Sequence, residues 1–178
     1  MTRRRDVLLQ LCGWPLLCVA QQPSGEEMAA RLRSGRCAIL MRHGQTDPGV
    51  GDPPGFVMGQ CATQRNLSEA GRARSRAAGT WFRERDLQPS VVLSSAWCRC
   101  IDTAELAFGR HEQWAPLNST FGRGSARDEA RPLLLARLSR IGANRFEVWV
   151  THQVNISAFT GEPTAMGEGL VVDAAGKV

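Results

Sequence analysis

Four side chains suited to binding and transferring a phosphate group follow short apolar stretches of the 178-residue sequence. Arg42 and His43 come directly after the first stretch, which begins at residue 37. Arg99 lies shortly after the second stretch, and His152 follows the third. Ligands of open α/β sheets bind at the carboxyl ends of the strands. If each stretch forms a buried strand, these residues, which include two of the three histidines, converge on one site.

Two arginines and two histidines together support phosphoryl transfer. A guanidinium group presents a planar fork of donors that matches the oxygens of a phosphate. A neutral imidazole nitrogen can attack phosphorus, while a second, protonated imidazole holds the surrounding oxygens. Phosphoryl transfer depends mainly on positioning and charge stabilisation. We therefore predict a site with a histidine nucleophile that needs neither a metal nor another cofactor.

The elements that must position these residues alternate between strand and helix. Apolar runs predict buried strands at 37–41, 91–93, 146–150 and 170–172. Helical spacing and capping signals predict five helices. The first ends at about Leu32, the second begins at Ser68, the third and fourth span 99–108 and 131–141, and the fifth contains Ile156 and Phe159. Loops are predicted over two Gly-rich stretches, 46–62 and 109–127. This alternation predicts an α/β fold, a three-layer α/β/α sandwich with a mostly parallel sheet.

The first twenty residues have the features of an export signal. Three arginines at positions 3–5 precede an apolar run at 7–20, which is too short to span a bilayer comfortably. Small residues at the end of this run, 18–20, precede a cleavage point, so we predict a signal peptide at 1–20, a single domain at 21–178, and no stable membrane span in the mature form. The arginine pair also fits a twin-arginine signal, which leaves both export routes open. The predicted location is periplasmic or secreted.

Composition narrows the range of partners. The formal net charge is +5, but the sequence has no tyrosine and no basic block interleaved with aromatic residues, so we predict no nucleic-acid partner. The predicted mature part keeps four cysteines, Cys37, Cys61, Cys98 and Cys100. In an exported protein they allow three disulfide pairings, and nothing completes a zinc site around them. The sequence leaves the pairing and the oligomeric state open.

Four segments, in order, resemble motifs of one enzyme family. They are Leu40-Met41-Arg42-His43-Gly44-Gln45-Thr46, Asn66-Leu67-Ser68-Glu69-Ala70-Gly71, the stretch 94–105 around Arg99, and Val150-Thr151-His152. Together they resemble the histidine phosphatase superfamily, which has the phosphoglycerate mutase-like fold. The resemblance implies that His43 is the nucleophile and that Arg42, Arg99 and His152 bind the phosphoryl group.

Two stretches narrow the resemblance further. Residues 63–68 and 97–100, with the export signal, look most like a periplasmic branch that includes lipopolysaccharide-core heptose phosphatases. This resemblance implies a phosphatase that acts on a phosphorylated small molecule or glycan through a phosphohistidine intermediate. Two alternatives stay open at this point: a phosphohistidine-protein phosphatase, and a module that binds phosphate without turnover.

The group that protonates the leaving alcohol is not assigned by the resemblance. Many members carry a glutamate for this purpose, but the corresponding segment here, 117–122, has no carboxylate. Another branch has an aspartate after its second histidine, where this chain has Gln153. A missing acid typically slows expulsion of a poor leaving group by ~10²–10⁴-fold. The unranked candidates for this acid are Asp47, Asp52, Asp128, Glu129 and Glu168. Arg65 either reaches an anionic group of the substrate or is a surface residue.

Overall fold

The computed structural model describes residues 25–49, 51–122 and 124–178. The predicted signal peptide at 1–20 lies outside the described residues. Within the described ranges, none of the helices combines the length and apolar character that crossing a membrane requires.

The described residues form one five-stranded sheet and five α-helices. Its strands are β1 (Cys37–Arg42), β2 (Val91–Ser94), β3 (Glu112–Gln113), β4 (Phe146–Thr151) and β5 (Gly169–Asp173). The helices are α1 (Gly25–Ser34), α2 (Glu69–Arg83), α3 (Cys98–Phe108), α4 (Gly124–Leu138) and α5 (Gln153–Thr160). The strands lie in the order β3-β2-β4-β1-β5. All neighbouring pairs are parallel except β1 and β5, which are antiparallel.

Helices cover both faces of the sheet, as the alternation of apolar runs and helical patterns predicts. In β1, Ile39 and Met41 pack into a core with α1, α2 and α3. Ala38 and Leu40 point to the opposite face, into a core with α4 and α5. Because β1 and β4 lie in the middle of the sheet and are covered on both sides, their sequences are almost continuously apolar. The three-layer α/β/α sandwich with a mostly parallel sheet is confirmed.

Two boundaries differ from the sequence prediction. Helix α4 begins at Gly124 rather than residue 131 and runs through Pro132. Ala130, Leu134 and Leu138 are buried at a spacing of four, so packing outweighs the hydrogen bond that proline removes. The predicted loop at 109–127 also contains β3, a two-residue edge strand whose exposed, polar side chains give no apolar signal.

Helix α2 packs closely against the segment that follows β1. Ser68 caps the helix by accepting a hydrogen bond from the Gly71 backbone N–H at 3.1 Å. A Cβ on Gly71 would lie 1.9 Å from the carbonyl oxygen of Gln45, so only glycine allows this approach. At the other end of the helix, a Cβ on Gly79 would lie 2.0 Å from the carbonyl oxygen of Ala107 in α3. The chain after β1 is therefore held in place by direct backbone packing.

Candidate active site

The four predicted site residues line one cavity at the carboxyl ends of the parallel strands. The cavity has a volume of about 950 Å³, and Arg42, His43, Arg99 and His152 all contribute to its wall. Arg42 ends β1, and His152 directly follows β4. Helices α3 and α5 begin beside it, at Cys98 and Gln153, so their positive N-terminal ends favour an anion there.

The His43 side chain is held with one ring nitrogen facing its own backbone. The Nδ1 atom lies 2.9 Å from the carbonyl oxygen of Gly44 and donates its hydrogen to it, which leaves the lone pair on Nε2. Backbone contacts fix this position: the His43 N–H donates to the Thr151 carbonyl at 3.0 Å, and the Gly44 N–H donates to the Thr103 hydroxyl at 2.9 Å. The chain thus presents an oriented imidazole whose Nε2 can act as a nucleophile.

His152 lies beside this imidazole. The two ring centroids are 5.5 Å apart in an edge-to-face arrangement. The Nε2 atom of His152 lies 2.9 Å from the Ser95 hydroxyl, and its Nδ1 lies 3.5 Å from Nη2 of Arg99. These contacts set the ring orientation from both ends.

Both imidazoles are neutral in the free protein. Burial lowers the pKa of His43 to about 3, and the positive charges of Arg99, Arg42 and Arg65 act in the same direction. The hydrogen bond to Gly44 offsets only part of this effect. Burial also lowers the pKa of His152 well below its usual value. The protonated second imidazole predicted from the sequence is therefore not favoured before an anion binds.

The two arginines are anchored differently. Arg42 donates from Nη1 to the Gln153 side-chain oxygen and, at 2.7 Å, to the Thr164 carbonyl. Gln153, which follows His152 in the chain, thus holds the guanidinium group of Arg42 in place. The Nε atoms of Arg42 and Arg99 are buried and have no hydrogen-bond partner among the described residues.

Asp52, one of the five carboxylates that the sequence left unranked, lies in the wall of the cavity. Its carboxylate accepts hydrogen bonds from Arg99 Nη1 at 2.7 Å, from Trp97 Nε1 at 2.9 Å and from the Arg65 backbone N–H at 3.1 Å. The side chain is 7% exposed. Burial by itself raises the pKa of Asp52, but the hydrogen bonds from Arg99 and Arg65 outweigh it, so the pKa is lowered and the group is ionised.

The other four carboxylates considered from the sequence do not line the cavity, and all are exposed: Asp47, Asp128, Glu129 and Glu168. Arg65, in contrast, does line it. Among the described residues, the charged groups in the wall are three guanidinium groups and the Asp52 carboxylate, a net charge of +2. A dianion matches this charge.

A disulfide fastens the loop that carries Asp52. Cys61 and Cys98 are bonded, which resolves the pairing that the sequence left open. The Gln64 side chain reinforces the connection by accepting a hydrogen bond from the Cys98 backbone N–H at 3.0 Å. Cys37 and Cys100 are free and buried, and burial raises the pKa of Cys100 to about 12, so its thiol stays protonated.

The mouth of the cavity is apolar. Phe56, Met58 and Phe121 contribute to the wall and are themselves exposed, Phe121 by 62%. Phe56 also packs against Trp97, with ring centroids 6.1 Å apart. Within the described residues, no group of three or more histidine, cysteine, aspartate or glutamate side chains is placed to hold a metal ion.

Comparisons with known proteins point to one family. Residues 38–120 match the family described as histidine phosphatase superfamily (branch 1). A 2,3-bisphosphoglycerate-dependent phosphoglycerate mutase from Clavibacter michiganensis subsp. michiganensis is 29% identical over 64% of this chain and 45% of its own length. The chain thus spans less than half the length of this curated relative.

Solved structures share the fold. A mycobacterial glucosyl-3-phosphoglycerate phosphatase is 25% identical, with a TM-score of 0.50 over 70% of this chain and 77% of its own. A protein from Agrobacterium tumefaciens designated phosphohistidine phosphatase SixA is 22% identical, with a TM-score of 0.55 over 77% of this chain and 91% of its own. Residues 38–120 thus resemble the histidine phosphatase superfamily (branch 1), and the two solved structures share the fold of this chain.

Proposed function

We propose that this chain hydrolyses phosphate monoesters through a phosphohistidine formed on His43. The observation that carries the proposal is the oriented, neutral imidazole of His43, whose Nε2 bears the lone pair in a cavity lined by His152 and three arginines. Members of the superfamily are phosphatases or mutases, which supports phosphoryl transfer as the reaction class.

The geometry suggests a two-step reaction. In the first step, His43 Nε2 attacks phosphorus, the N–P bond forms, and the bond from phosphorus to the leaving oxygen breaks. Arg42 and Arg99 hold the equatorial oxygens, and His152 joins them once the bound dianion raises its pKa and it takes up a proton. In the second step, water attacks phosphorus, the N–P bond breaks, and phosphate leaves. No metal is assigned a role in either step.

Charge and shape favour a monoester of a sugar or glycan. The net charge of +2 in the wall balances a monoester dianion and exceeds the single charge of a diester. The cavity volume of about 950 Å³ exceeds what a phosphate alone would fill, and its apolar mouth offers aromatic surfaces to the ring of a sugar. The resemblance of residues 63–68 and 97–100 to a periplasmic branch supports the same class, with a heptose phosphate as one substrate.

We also propose that the protein works outside the cytoplasm. Disulfides persist in oxidising compartments, and the Cys61–Cys98 bond ties together two segments of this site. The export signal predicted at residues 1–20 agrees with that location.

The test is phosphate release by the purified protein in the presence of a chelator. Three substrates separate the hypotheses: p-nitrophenyl phosphate, a heptose phosphate and a phosphoramidate. We expect turnover that the chelator does not abolish, a loss of at least ~10³-fold in His43→Ala, and little change in His111→Ala, which alters the histidine outside the cavity. Preference for the phosphoramidate would favour the phosphohistidine-protein phosphatase. Equal activity of His43→Ala and wild type would refute the mechanism, and tight phosphate binding without turnover would leave a binding module.

A further inference from the structure

We infer that Asp52 is the acid that protonates the leaving oxygen, a role that rests on the proposed phosphatase function. Asp52 is the carboxylate that the described chain places in the wall of the cavity, and it is bonded directly to Arg99, one of the proposed phosphate ligands. It takes the place of the glutamate that many family members carry and that segment 117–122 lacks.

The contact with Arg99 explains how Asp52 acquires a proton. In the free protein the carboxylate occupies Arg99 Nη1 at 2.7 Å. A phosphoryl oxygen that binds Arg99 competes for the same guanidinium group and sets two anions side by side. A neighbouring anion disfavours the ionised form of a carboxyl group, so substrate binding raises the affinity of Asp52 for a proton. A monoester, whose second ionisation lies near pH 6, delivers that proton as its monoanion, or solvent supplies it to the dianion complex.

Two other donors keep Asp52 in place when Arg99 turns to the substrate. The Trp97 indole N–H and the Arg65 backbone N–H contact the carboxylate independently of Arg99. The Cys61–Cys98 disulfide holds the loop from the other side. These contacts therefore hold Asp52 at the cavity wall when substrate competes for Arg99.

The proton inventory closes over both steps. As the N–P bond forms on His43, the bond to the leaving oxygen breaks, and that oxygen takes the proton of Asp52 and departs as an alcohol. The Asp52 carboxylate then accepts a proton from the water that attacks phosphorus. The N–P bond breaks, phosphate is released, and Asp52 carries a proton for the next turnover or exchanges it with solvent.

The experiment compares two leaving groups in two variants. Asp52→Asn removes the proton and keeps the shape, while Asp47→Asn is the matched control, an exposed carboxylate in the same loop. One substrate is p-nitrophenyl phosphate, whose leaving group departs as a phenolate without a proton. The other is an alkyl phosphate, whose leaving oxygen needs a proton to depart as an alcohol. We expect Asp52→Asn to lower kcat/KM by ~10²–10⁴-fold on the alkyl phosphate and by less than about tenfold on the nitrophenyl ester. Asp47→Asn should change neither value.

A merely structural role for Asp52 would lower both values by the same factor, and that result overturns the inference. If Asp52→Asn loses its near-UV circular dichroism, the wild type decides the question through a series of aryl and alkyl phosphates. Rates that change little with the basicity of the leaving alcohol support an internal acid, and rates that fall steeply with it overturn one. The two proposals fail differently: no release from any substrate by wild type refutes the phosphatase, while turnover with a uniform loss in Asp52→Asn refutes only the role of Asp52.

Discussion

The protonation of the His43 imidazole as a function of pH tests the electrostatics of the site most directly. A histidine in solution has a pKa near 6.5, so at pH 5 only about 3% of it is neutral. Burial, with the charges of three arginines, lowers the pKa of His43 to about 3, so at pH 5 about 99% is neutral. The nucleophile should therefore be available at a pH where an exposed histidine is almost fully protonated.

The same shift lowers stability in acid, and the sign follows from proton binding. Between pH 6.5 and pH 3 the unfolded chain binds a proton at His43 and the folded chain does not, so stability falls as the pH falls. Each pH unit well inside this window costs about 1.4 kcal/mol. From pH 6 to pH 4.5, His43 alone should lower the free energy of unfolding by about 2 kcal/mol, and His152 acts in the same direction.

Two measurements check this prediction on the free protein. Nuclear magnetic resonance of isotope-labelled histidine, assigned with His43→Gln and His111→Gln, follows the three rings from pH 8 to pH 4. Urea unfolding at pH 6 and pH 4.5 compares wild type with His43→Gln, which cannot be protonated in this range and should lose about 2 kcal/mol less. Ring signals of His43 that titrate near pH 6.5, or equal losses of stability in the two proteins, would show that the cavity does not keep this imidazole neutral.

Two further predictions concern the packing that positions the site. The double variant Cys61→Ser/Cys98→Ser should lose about 3–4 kcal/mol of unfolding free energy, because the bond closes a loop with a sequence separation of 37. Reductant should bring wild type to the same urea midpoint and leave the variant unchanged; a wild type indifferent to reductant would contradict the role given to the bond. Gly71→Ala should cost about 1–3 kcal/mol, since its Cβ would overlap the Gln45 carbonyl, and should slow phosphate release by moving the loop after β1. Gly124→Ala, where a Cβ meets nothing within 4 Å, is the control, and equal effects of the two changes on stability and rate would count against backbone packing as the cause.

The parts of the fold that sequence predicted are those in which a local pattern and tertiary burial agree. Strands β1 and β4 are buried on both faces, so their apolar runs predicted both strands. The ends of these runs in turn located the polar residues that follow them. Ser68 and Gly109 marked the start of α2 and the end of α3, because a capping hydroxyl and a left-handed glycine each satisfy a geometric need of a helix end.

The parts that sequence missed have no local pattern. Strand β3 is short, polar and exposed, and its pairing with β2 becomes visible only once the sheet is assembled. Helix α4, predicted from residue 131, begins at Gly124, and buried side chains on both sides of Pro132 keep it continuous. The four residues at strand ends do meet in one cavity, while their catalytic roles stay predictions.

Asp52 shows why a site carried by a loop escapes sequence patterns. The stretch 46–62 is rich in glycine and proline and has no apolar periodicity, so nothing local determines which of its carboxylates faces inward. What orients Asp52 is a set of partners distant in sequence: Arg99, Trp97 and the disulfide to Cys98, all within three consecutive positions at the start of α3. The same turn therefore supplies a phosphate ligand, the donors that aim the proposed acid, and the bond that fixes its loop. We expect loss of the disulfide to affect the alkyl phosphate more than the nitrophenyl ester, since it frees the loop that carries the acid and leaves His43 anchored by β1 and β4.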